Sequence, residues 1–222
     1  MTLNKIFLLL IFILLYLMPN LSAQKKEFWW GGGVAYQVPT NLMADKDFGF
    51  ATVAKGGAGF FGTGTYFYNP QLSLTGDVGY SFFPKDKEFW DVNNYGDVNM
   101  TYQMLSATFQ GNFYLSEGEV RPYFGALFGF YYLMNKMSFT SNNEISNQSK
   151  SYKSNELQPG MGLEFGTLIQ MAKKEKLSIS LRFSYIPNIE SKYLPDEQIT
   201  INPHGKQNHW GLALKYYFAG KR

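Results

Sequence analysis

Seven runs in which apolar side chains alternate with polar or small ones, and an eighth of similar length that is apolar on both faces, constrain this chain more than any other feature. They cover residues 28–38, 56–68, 71–83, 100–115, 121–135, 157–171, 177–186 and 206–218. A period of two is the signature of a strand, because successive side chains point to opposite faces. The clearest case sets Leu72, Leu74, Val78, Tyr80 and Phe82 against Ser73, Thr75, Asp77, Gly79 and Ser81. The closing run does the same with Trp210, Leu212, Leu214, Tyr216 and Phe218 against His209, Gly211, Ala213, Lys215 and Tyr217. Soluble strands average about 5–6 residues, whereas crossing a bilayer at a tilt takes about 9–11. The runs are of the second kind, and their connectors go long, short, long, short, long, short, long. That order predicts an all-β, eight-stranded antiparallel up-and-down transmembrane β-barrel, with tight turns at one end and longer loops at the other.

A different pattern precedes the first run. Lys5 is followed by the unbroken apolar stretch Ile6 to Met18 and then by Pro19-Asn20-Leu21-Ser22-Ala23. The stretch is shorter than the roughly 20 residues of a spanning helix, and small residues follow it, so residues 1–23 read as a signal peptide cleaved before Gln24. The barrel domain is then 24–222. Aromatic residues (18%) outnumber charged ones (17%), a balance that favours strands and membrane interfaces. A mean hydropathy of −0.22 does not conflict with a membrane barrel, in which only alternate residues need be apolar. A net charge of +3 is too weak to indicate nucleic acid. The chain has no cysteine, which excludes disulfides, thiolate metal sites and thiol nucleophiles together.

With its leader, its long one-sided strands and its alternating connectors, the chain resembles the small eight-stranded outer-membrane proteins of the OmpX, OmpW and OmpA-barrel kind, the outer-membrane β-barrel domain family. The resemblance is one of pattern over residues 27–218. It departs at the C-terminus, where Ala219-Gly220-Lys221-Arg222 follows the aromatic Phe218 on which such chains commonly end. The resemblance implies a place in the outer membrane of a Gram-negative-type bacterium, contact with its lipid, a monomer, and outward loops that meet a surface or envelope partner.

Four charged residues fall on the expected inner face: Asp77, Glu164, Arg182 and Lys215. Charges removed from water must be paired, and two acids balance two bases, so they predict a lumenal ion-pair network that plugs the barrel. The rival reading is a narrow ion path. Trp29, Trp30, Phe89, Trp90, Trp210 and Phe218 sit near strand ends or in the adjoining connectors and are expected in the aromatic girdles at the membrane surfaces.

Gly31-Gly32-Gly33 lacks the spacing of a phosphate loop and suits a strand lying close to its neighbour. Asp91 to Asp97 begins like a calcium loop but places Tyr95 and Tyr102 where acceptors are required. His204 and His209 make a poor metal pair, and nothing sets a nucleophile beside His209. Lys173, Lys174 and Lys176 read as a solvated turn, and 136–155, rich in Ser and Asn, as a surface loop. Residues 121–135 are apolar on both faces, so pattern alone does not separate inside from outside. No catalytic residue, cofactor or metal is assigned. The leading function is a non-enzymatic envelope or surface-interaction barrel; the alternatives are a narrow transport barrel, a membrane-embedded lipid-modifying enzyme or a secretion-machinery barrel.

Overall fold

The computed structural model describes residues 27–40, 54–85, 87, 97–140, 149–187 and 208–219. Within them lie eight strands: β1 (Glu27–Pro39), β2 (Gly57–Phe67), β3 (Leu72–Pro84), β4 (Asp97–Tyr114), β5 (Val120–Thr140), β6 (Ser149–Ala172), β7 (Glu175–Tyr185) and β8 (His209–Ala219). Each pairs antiparallel with the next, and β8 returns to β1, closing the barrel. Closure leaves no sheet edge, which is the condition for placing strands in lipid, where no water can satisfy a free backbone group.

The strands are joined at one end by 68–71, 115–119 and 173–174, and at the other by 40–56, 85–96, 141–148 and 186–208. The tight turns have local causes. Asn69 folds its side chain back to accept from the Gln71 and Leu72 amides at 2.8 and 2.6 Å, an Asx turn at the Asn69-Pro70 pair. Ser116 donates to the Val120 carbonyl at 2.9 Å. The closing register is set by Trp30 opposite Phe218 and Trp29 opposite Ala219, and the Ala219 amide donates to the Lys174 carbonyl at 3.0 Å. The strand thus runs one residue past its terminal aromatic.

Outward residues are apolar almost throughout: Phe28, Trp30, Val34, Phe60, Val78, Phe109, Phe128, Leu163, Leu181 and Leu212 are all exposed. A patch of that extent on a soluble monomer would drive association; facing hydrocarbon it is the stabilised arrangement. β5, undecided by pattern, turns Tyr123, Leu127, Tyr131 and Leu133 inward and Phe124, Phe128 and Phe130 outward. The glycines opposite and beside these rings make room for them: a side chain at Gly160 would strike the Tyr131 ring, and one at Gly166 the Tyr123 ring. In β1 a side chain on Gly31 would collide with the Tyr216 backbone, the close neighbour contact expected of the triple glycine.

Two expectations need correcting here. The stretch 136–155 is not a loop throughout: β5 and β6 continue as a paired hairpin through Lys136 opposite Lys153 to Thr140 opposite Ser149. Period-two reading is blind to it, because this Ser- and Asn-rich stretch carries no apolar alternation to mark a strand. Lys176 belongs to β7 rather than to a solvated turn, and is buried.

Candidate functional site in the barrel lumen

The lumen is filled in layers, and its middle layer is ionic. β3, β6, β7 and β8 turn Asp77, Glu164, Arg182 and Lys215 inward and bring all four into contact. Arg182 bridges the acids, its Nε donating to Glu164 Oε2 at 2.6 Å and its Nη2 to Asp77 Oδ2 at 2.5 Å. Lys215 Nζ closes the circuit, at 3.2 Å from Asp77 Oδ2 and 3.2 Å from Glu164 Oε1. Side-chain exposures of 4% for Asp77, 0% for Glu164, 1% for Lys215 and 15% for Arg182 put the quartet out of bulk water. Such a group persists only if each charge is met and the remaining lone pairs and protons are bonded.

Neutral side chains supply most of those remaining bonds, Asp77 Oδ1 being the one carboxylate oxygen of the quartet without a partner among the described residues. Tyr123 donates its hydroxyl to Glu164 Oε1 at 2.7 Å and lies 2.9 Å from the Ser178 hydroxyl. Arg182 Nη2 also donates to Gln110 Oε1 at 3.2 Å, and Gln110 in turn donates to Asn112. Asn112 donates to Thr75 and Ser73 at 3.0 and 3.2 Å, and Thr75 shares a 2.8 Å hydroxyl contact with Thr65. Period two along β4 puts Gln110 and Asn112 on its inner face but does not link them to the charges. Tyr123 gave no signal, because its strand is apolar on both sides.

At the turn end the layer changes character. Trp29, Phe67, Tyr114, Tyr123, Leu168 and Tyr217 form one buried cluster across the lumen. The Phe67 and Tyr114 rings are 5.4 Å apart and the Tyr114 and Tyr123 rings 5.3 Å. Lys176 Nζ lies 3.9 Å from the Trp29 ring centre and 4.4 Å from that of Phe67, a cation–π arrangement, with Glu27 at 4.0 Å. Arg121 approaches the Phe67 and Tyr114 rings at 5.5 and 5.8 Å and donates to the Pro70 carbonyl at 3.2 Å.

Trp29 is therefore not a girdle residue. It is 4% exposed whereas Trp30 is 54% exposed, since neighbours on a strand cannot share a face. Its indole donates to Glu27 at 3.1 Å instead. Trp30 and Phe218 do lie outside, with rings 5.4 Å apart at the turn end, and Trp210 packs on Phe183 at 4.8 Å near the opposite end. Phe89 and Trp90 lie outside the described residues, as does most of the calcium-like stretch Asp91 to Asp97. At the connector end Phe83, Tyr102, Leu133 and Ile186 are buried. His209 faces inward there, 6.0 Å from the Phe83 ring and opposite Ser184 in the backbone register.

Comparison with known proteins agrees with this architecture. Neisserial surface protein A superposes with a TM-score of 0.52 at 15% identity, covering 89% of this chain and 100% of its own. OprG from Pseudomonas aeruginosa gives 0.52 at 10% identity, over 91% and 99% of the two chains. A major outer membrane protein from Thermus thermophilus gives 0.50 at 16%, over 89% and 100%. At such identities the likeness speaks for the fold alone. No curated protein matches the chain in sequence. The family profile described as outer membrane protein beta-barrel domain matches residues 7–218, and with the closed eight-stranded barrel and its apolar outer wall this identifies the chain as a member of that family, resident in the outer membrane.

Proposed function

We propose that this protein is a non-enzymatic outer-membrane barrel, made with a signal peptide that is cleaved after Ala23. It acts as a monomer whose lumen is closed and whose longer connectors face outward to meet a surface or envelope partner. The orientation follows the rule that tight turns lie on the periplasmic side. The observation that carries the closed lumen is the quartet of Asp77, Glu164, Arg182 and Lys215: charge-balanced, mutually hydrogen-bonded and buried midway along the barrel. A conducting path would keep its charges hydrated and separable, whereas eight strands leave an interior that side chains can fill.

Single-channel recording in planar bilayers tests this reading. The purified mature protein should give no current steps above the bare membrane. Steady steps would replace the closed envelope barrel with a narrow transport barrel.

A further inference from the structure

We infer that the aromatic ring at the turn end, rather than the ionic quartet, is the seal that separates the lumen from the periplasm. The inference rests on the closed-lumen reading above and assigns the closure to particular residues. Its first support is completeness. Six strands supply the aromatic and leucine members of the cluster, and the other two supply Ser73, 3.3 Å from the Tyr114 hydroxyl, and Lys176, seated over Trp29 and Phe67. Every strand of the barrel therefore puts one side chain into this ring.

A second support is the kind of barrier each layer makes. The buried quartet fills the lumen, but hydrogen bonds between ionised groups can be exchanged for water, so it is the weaker barrier of the two layers. A packed apolar constriction excludes ions by dewetting. The Phe67, Tyr114 and Tyr123 rings are in serial contact, and each has only two side-chain torsions to give up. Lys176 and Arg121 hold the ring faces that a passing cation would otherwise use, and both would repel it. This division of labour makes the quartet a stabilising and register-setting element and the ring the permeability barrier.

The absence of cysteine allows a direct test. Ser180 points inward on β7 between Lys176 and Arg182, is buried, and its hydroxyl has no hydrogen-bond partner among the described residues. Ser180→Cys thus puts a single thiol between the two layers with little cost. A small, charged, membrane-impermeant thiol reagent is applied to right-side-out and inverted outer-membrane vesicles carrying the full-length variant. With the ring intact, labelling from the periplasmic face should be about a hundredfold slower than in the unfolded chain. Adding Trp29→Ala with Phe67→Ala should raise that rate about tenfold or more, while neutralising the quartet (Asp77→Asn, Glu164→Gln, Arg182→Met, Lys215→Met) should leave it unchanged. If the double alanine variant does not fold, Lys176→Ala, which empties one place in the ring and keeps all the aromatics, should raise the rate in the same direction.

Rapid periplasmic labelling with the ring intact, or acceleration by the quartet variant and not by the ring variants, overturns the inference. Either outcome is compatible with an electrically silent native barrel, so failure of the seal assignment is distinguishable from failure of the closed-lumen reading.

Discussion

Replacing Arg182 with Met removes the hub of the lumenal network while keeping much of its volume. Three donations disappear: to Glu164 at 2.6 Å, to Asp77 at 2.5 Å and to Gln110 at 3.2 Å. Two carboxylates then share one cation, Lys215, and the layer carries an uncompensated negative charge. Breaking a buried pair by removing one partner costs about 3–5 kcal/mol. Because Arg182 keeps 15% side-chain exposure, water can reach the site, and the lower end, about 3 kcal/mol, is the expected loss. In equilibrium terms that is roughly a hundredfold. Urea unfolding of the native and variant proteins in lipid vesicles measures it.

Replacing all four charges together with apolar residues of similar volume should cost far less than the single change, since no orphan charge remains. An Arg182 that faced lipid would give the opposite sign, because charge on that surface itself costs roughly 2–4 kcal/mol at the midplane. A variant as stable as the native barrel, or more stable, would refute both the inward placement and the pairing.

Brominated lipid should quench Trp30 strongly and Trp29 hardly at all when each is compared with its Phe variant; equal quenching would mean that β1 is rotated. Gly166→Val puts methyl groups against the Tyr123 ring and Ser180, so urea unfolding should show a loss of about 1–3 kcal/mol or more. Amides of Met137 to Thr140 should be protected from hydrogen exchange by the β5–β6 hairpin, in contrast to the fast exchange of a free loop. Mass spectrometry of the protein from outer membranes should find Gln24 at its N-terminus, and a chain beginning at Met1 would exclude the cleaved leader.

The sequence by itself determined the number of strands, the alternation and lipid-facing side of every strand but β5, and four of the charges inside. These are local consequences of period two, and each can be read along one strand without knowing its neighbours. It also determined that the tight turns cluster at one end, because connector length is a one-dimensional property. What it left open was what depends on another strand. β5 is apolar on both faces, and only closure against Gly160 and Gly166 of β6 decides that Tyr123 and Tyr131 point inward. Trp29 and Trp30 look alike along the chain, yet one joins the ring of buried aromatics and the other meets lipid, because the pleat separates them. Lys176 sits in a charged stretch that reads as solvated, until the barrel sets its ammonium over the rings of β1 and β2. The contact between Asp77 and Arg182, 105 residues apart, exists only because the closed barrel brings β3 and β7 across one narrow lumen.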